Sequence, residues 1–161
     1  MASFSVTLTP TVGTAAYIAG DAVGGNLATT TGIYQFGLGL ASTSGGKIEI
    51  ESVLITDKSK TKPAIFLEFF KAIPASGTYV DGSPLTYGSG DHANKLQPIS
   101  ILAADWIDLP RVSATSSSVA VNDLGMVLAP TGQDLFLLIH ADSAFSLTAL
   151  DWTITVSGRT L

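Results

Sequence analysis

Along most of this chain apolar and polar side chains alternate with a period of two, and that alternation limits the fold more than any other property. In residues 145–156, Leu150, Trp152, Ile154 and Val156 fall on one side of an extended backbone, and Asp151, Thr153 and Thr155 on the other. Successive side chains of a strand point to opposite faces, so the pattern describes a strand with one face in a core and one in water. Residues 4–8 repeat it on a small scale, with Phe4, Val6 and Leu8 set against Ser5 and Thr7, until Pro10 and Gly13 break it. Residues 47–57 start the same way, Ile48 and Ile50 opposite Glu49 and Glu51, then turn apolar on both sides at Val53-Leu54-Ile55. Two further runs, 64–70 (AIFLEFF) and 135–139 (LFLLI), are apolar almost throughout. Their length, their aromatic and β-branched content and their flanking Pro and Gly favour strands covered on both faces over short buried helices.

Weaker strands are expected near 33–40, 78–80, 99–103 and 119–129. Turn sequences separate them: Gly24-Gly25-Asn26, Ser44-Gly45-Gly46, Ser76-Gly77, Asp81-Gly82-Ser83-Pro84 and Thr131-Gly132. One short helix fits near 90–96, with Asp91 at the cap and Pro98 as the stop. No window carries a long stripe of 3.6-residue period, no internal repeat emerges and no linker divides the chain. The expected fold is all-β: a single antiparallel β-sandwich, jelly-roll-like, spanning residues 1–161, with residues 1–14 as an edge strand or N-terminal arm.

Composition bears on what such a sandwich associates with. Charged residues make up 13% of the 161 positions, about half the ordinary share. A folded monomer of 16.6 kDa exposes about 7,600 Å², which leaves about one formal charge per 360 Å². A mean hydropathy of +0.41 excludes a disordered chain, and no apolar run approaches the roughly 18 residues of a membrane helix. A net charge of −5 argues against general nucleic-acid binding, in which cations neutralise phosphates. The densest basic stretch, Lys58, Lys60 and Lys62, reads as a solvated loop or a contact with an acidic partner. With no Cys there is no disulfide framework and no thiolate chemistry. The stretch MASFSVTLTP lacks the basic and apolar regions of a secretion signal, so cytoplasmic synthesis is expected.

The search for chemistry gives little. No G-x-S-x-G occurs, and Gly37-Leu38-Gly39 and Gly45-Gly46-Lys47 lack the rest of a nucleotide loop. His92 and His140 stand apart, and no calcium-loop pattern is present. Asp105 and Asp108 flank Trp106 on an irregular segment. Such a trio suits sugar binding, with the indole stacked on a ring, or an acid pair for glycoside hydrolysis; core and turn residues is the plainer reading. Glu68, inside AIFLEFF, needs a partner: an edge position, a nearby lysine or a subunit boundary. The expectation is a protein without catalytic residues, metal or cofactor.

Three stretches read in order carry a resemblance. They are TPTVGTAAYIAGDAVGG (9–25), IESVLITDKSKTKPAIFLEFF (50–70) and DLFLLIHADSAFSLTALDWTITVSG (134–158). This order resembles a group of small structural proteins of tailed bacteriophages, at Tyr17, Gly20, Asp21, Val23 and Gly24, and again at Val53, Ile55, Asp57, Lys58 and the 64–70 strand. It departs between 72 and 130. The resemblance implies a virion protein on the outer surface of the capsid, a head decoration or cement protein that binds the major capsid protein. Closed symmetry adds self-association, expected as a homotrimer with a dimer as the alternative. It implies no enzyme activity. Contacts are expected from Phe4, Val6 and Leu8, from Lys58, Lys60 and Lys62, and from Trp106. The alternative is a tail, neck or fibre component that touches host glycans.

Overall fold

The alternation becomes geometry most plainly in the last strand, where Trp152, Ile154 and Val156 are buried and Thr153 and Thr155 are half-buried. In the computed structural model, residues 2–10, 16–25, 32–38, 46–96, 98–108, 116–130, 134–147 and 152–161 are described. They form β1 (Ser3–Leu8), β2 (Ala16–Tyr17), β3 (Ile33–Gly37), β4 (Ile48–Asp57), β5 (Ile65–Phe70), β6 (Ile99–Ile101), β7 (Ile107–Asp108), β8 (Ser117–Val121), β9 (Met126–Leu128), β10 (Asp134–Ala141), β11 (Phe145–Ser146) and β12 (Trp152–Thr160). Sheet one runs β1-β12-β4-β8-β7, with β9 also on β4; sheet two runs β3-β10-β5-β6; β2 and β11 make a small ribbon.

Leaving aside the two-residue strands and β9, eight strands remain. Counted along the chain, their order is 1-8-3-6 in one sheet and 2-7-4-5 in the other. First pairs with last, second with seventh, third with sixth and fourth with fifth, all antiparallel. That is a long ribbon rolled into two layers, a jelly roll. The inward faces meet in one core, in which Phe36, Ile50, Ile55, Leu67, Phe69, Leu137, Trp152 and Ile154 are fully buried.

β4 explains why 47–57 changed character midway. Opposite it, Ser157 pairs with Ser52 but Gly158 pairs with Ile50, so β4 carries one extra residue, a bulge at Glu51. The inward positions therefore switch from Ile48 and Ile50 to Val53, Ile55 and Asp57. Of the three residues apolar on both sides, Val53 and Ile55 face the core, and Leu54 is 41% exposed on the outer face.

Sheet two does have both faces covered. The connection from β5 to β6 folds back over its outer side, where Tyr79, with Leu85 and Tyr87 packed beside it, joins Ala22, Ile33, Phe70 and Leu138 in a second core. Residues 20–23 also bond to the end of β10, through Val23 to Ile139 and Ala141 to Asp21. This is why AIFLEFF and LFLLI could be apolar without being exposed.

Other expectations shift. The 119–129 region splits into β8 and β9. Residues 78–80 hold only an isolated bridge from Thr78 to Thr86. The helix near 90–96 reduces to a 3₁₀ turn at His92–Asn94, a second such turn spans Ala103–Asp105, and the Asp91 side chain does not cap the first. β2 and β7 were not anticipated, since two paired residues leave no periodic signal; the strand expected over 145–156 is present as β11 and β12, with residues 148–151 outside the described residues. Gly13, Asn26, Gly39, Ser44-Gly45, Thr131-Gly132, Leu150 and Asp151 lie outside the described residues.

Candidate interaction surface

The crossing from β4 to β5 joins the two sheets, and Asp57 builds it. This carboxylate, fully buried at the end of β4, accepts from Ser59 N (2.9 Å), Ser59 Oγ (2.6 Å), Thr61 N (2.6 Å) and Lys62 N (3.1 Å). Wrapping the backbone around one anion places Lys60 and Lys62 at φ of 59° and 50°, the left-handed region that side chains rarely adopt. Both lysines then reach Asp108 on β7, at 2.9 and 2.5 Å. Their donation holds the Asp108 carboxyl below its ordinary value. Lys58 is exposed beside them. The structure thus brings together two stretches chosen separately from the sequence, 58–62 and 105–108.

Trp106 belongs to this end of the molecule but faces inward. It is 4% exposed, its indole N–H donates to the Pro63 carbonyl at 2.9 Å, and its ring lies 6.2 Å from that of Trp152. No ring face remains for a sugar. Asp105 accepts from Leu102 N at 2.7 Å, closing its own 3₁₀ turn, while Asp108 is bound to lysines, so the two acids serve separate local tasks. The exposed apolar groups here are Leu102 (53%) and Ile107 (69%).

The outer face of sheet one is the second feature. Residues paired across an antiparallel sheet share a face, so the registers give its rows: Ser5–Ser157–Ser52, then Thr7–Thr155–Leu54–Ala120, then Thr153–Thr56–Ser118–Ile107. None of these side chains is charged. Hydroxyls bond to each other across strands, Ser5 to Ser157 at 2.9 Å and Thr7 to Thr155 at 2.7 Å. Charge returns at one rim, where Arg159 donates to Glu49 at 2.9 and 2.7 Å and lies 3.5 Å from Glu51. An open depression of about 510 Å³ borders that rim, lined also by Asn122 and Asp123.

Two carboxylates buried in the fold, Glu68 and Asp91, are each met by several partners. Glu68, 3% exposed on the outer face of sheet two, meets Lys95 at 2.7 Å, His140 at 3.4 Å and the Tyr87 hydroxyl. Burial alone pushes its carboxyl up; these three partners outweigh burial and hold it below the usual range. Asp91 accepts from Ala75 N and Ser76 N, both at 3.1 Å, and from Tyr79 Oη at 2.5 Å. Burial opposes its charge as well, but these donors bring its carboxyl down to about 2. Among the described residues no three acidic or imidazole groups converge as metal ligands do.

Of the contact residues expected from the sequence, Phe4 (7% exposed) and Trp106 belong to the chain's own core, and Val6 and Leu8 pack partly against it. Burial withdraws Phe4 and Trp106 from the surface; what β1 presents outward is Ser3, Ser5 and Thr7. The signal for that face was the hydroxyl half of the alternation. A search for apolar contact residues passes over it.

The order of its strands places the chain in the class of jelly-roll β-sandwiches. No family model and no curated protein matches it. Among solved structures it is similar to one from tomato aspermy virus, determined by X-ray crystallography, with 10% identity over 99% of this chain and 76% of that one and a TM-score of 0.45. A family two carbohydrate esterase from Cellvibrio japonicus has 10% identity over 99% of this chain and 35% of that one, with a TM-score of 0.19.

Proposed function

We propose that the chain is a virion structural protein of a tailed bacteriophage, a head decoration or cement protein that binds the major capsid lattice from outside. It acts by burying surface across joints between capsid subunits and turns over no substrate. The observation that carries this reading is the outer face of sheet one, rows of hydroxyls and small apolar groups without a charge. The cores of specific interfaces are depleted in charge, and a lattice repeats a weak contact many times. The phage setting is supported by the motif resemblance, part of which falls on connections of this fold: Asp57 organises the β4–β5 crossing, and the Gly20–Val23 stretch bonds to the end of β10. The tail, neck or fibre alternative included a glycan contact through Trp106, and burial of that ring removes the support for that contact.

The test is addition of the purified chain to phage heads that lack it, followed by copy counting and thermal challenge. Saturable binding at a fixed number of copies per capsid subunit, with heads that rupture at higher temperature, is expected. No binding to heads, or a few copies confined to the tail, overturns the reading.

A further inference from the structure

β1 is an edge of sheet one, and among the described residues β12 is its one strand neighbour. Along an antiparallel pair, bonded and non-bonded rows alternate. The Thr160 N–H donates to the Ala2 carbonyl at 2.9 Å, which puts Ala2, and every second residue after it, in the rows bonded to β12. Phe4, Val6 and Leu8 therefore direct their backbone groups to β12. The N–H and C=O groups of Ser3, Ser5 and Thr7 point the other way, out of the sheet.

Natural edges are blunted by lysine, proline, a bulge or very short length. Ser3–Leu8 has none of these devices: six residues hold an unbroken register with β12, the next proline is Pro10, and no charged side chain precedes Asp21. The strand is also complementary to itself. Antiparallel pairing centred on Ser5 sets that residue against the partner's Ser5, Ser3 against the partner's Thr7, and Phe4 against the partner's Val6. Hydroxyls then meet hydroxyls on the outer face, and apolar groups meet on the core side. β1 already makes the same kind of rows with β12, at Ser5–Ser157 and Thr7–Thr155.

We propose that two copies of this chain join edge to edge through β1, antiparallel about a two-fold axis at Ser5, so that sheet one continues across the dimer. Strand addition at an open edge draws its affinity from main-chain bonds and its register from alternate side chains. A two-fold contact must be self-complementary, and an antiparallel pairing of identical strands is so by construction. The open edge favours the dimer over the homotrimer expected from the sequence. The contact needs no capsid, so it stands or falls separately from head binding.

The experiment uses the pure chain. Light scattering is expected to give twice the 16.6 kDa chain mass. Ser5→Cys adds the one thiol in a chain without cysteine, at a pair whose Cα atoms lie about 5.5 Å apart, within disulfide span. Mild oxidation is expected to cross-link most of it. Thr153→Cys, on the same face but one strand inward, is expected to give roughly tenfold less product. Ser5→Pro removes an outward N–H that β12 does not use, so it is expected to yield a monomer with unchanged circular dichroism. A monomeric or trimeric wild type, or Ser5→Cys cross-linking no better than Thr153→Cys, overturns the proposal.

Discussion

A carboxylate on a strand as apolar as β5 is tolerated because three donors reach it. Glu68 lies on the covered side of sheet two, and Lys95 and Tyr87 arrive from the long connection folded over that side, while His140 comes from the neighbouring strand. The lysine ammonium also sits 4.4 Å from the Tyr87 ring centroid, which joins the lid's two Glu68 partners to each other. Asp91 works within the lid, gathering Ala75, Ser76 and Tyr79 around one carboxylate. Its folded value of about 2 lies below the unfolded 3.8. The stability it contributes is therefore complete above about pH 4 and is lost as pH falls toward 2. Asp91→Asn is expected to flatten that acid limb in urea titrations between pH 4 and 2. Asp91→Ala at neutral pH, which leaves the donors unpaired, is expected to cost about 2–3 kcal/mol.

At the scale of elements, the bulge in β4 lets one strand serve two partners in succession, β9 beside Ile48–Ile50 and β8 beside Val53–Asp57. Gly158 sits opposite it for a steric reason: a Cβ there would run into the Glu49 carbonyl and lie 2.8 Å from the Phe4 ring. Phe4 thus fills the space that the glycine leaves, and the N-terminal strand is held to the bulge by packing as well as by bonds. Gly158→Ala is expected to destabilise the fold by about 3 kcal/mol, with urea midpoints as the measure. The same packing makes removal of residues 1–14 a poor probe of binding, since it also takes Phe4 out of the core.

For the whole molecule, among the described residues, sheet two has its outer face closed by the chain itself and sheet one does not. The molecule exposes 7599 Å², and the sparse charge is unevenly spread over it. Charges cluster at the lysine loop and at the Arg159 rim and leave the middle of sheet one bare. A lysine placed in that bare region would be desolvated without a partner in any complex that covers it. Thr155→Lys is expected to leave the melting temperature nearly unchanged and to lower occupancy on phage heads by roughly tenfold or more. Copy number on purified particles measures this directly; full occupancy with the variant would move the contact surface elsewhere.

Periodicity carried the strand content, the all-β class and the inward face of β1 and β12, because side-chain direction in a strand follows from sequence parity alone. Continuous apolar runs likewise marked β5 and β10 as covered on both sides. The sequence also showed that Glu68 needed a partner and placed a lysine among the candidates. Only tertiary structure decided which lysine, since Lys95 is far along the chain and arrives through a loop without periodic signal. It also decided that Lys60 and Lys62 meet Asp108, that Trp106 turns inward, and that a single extra residue reverses the faces of β4. Parity is local and survives in the sequence. Contacts between loops and the placement of a bulge depend on how the two sheets close on each other, and that closure is set by the packing of the whole core.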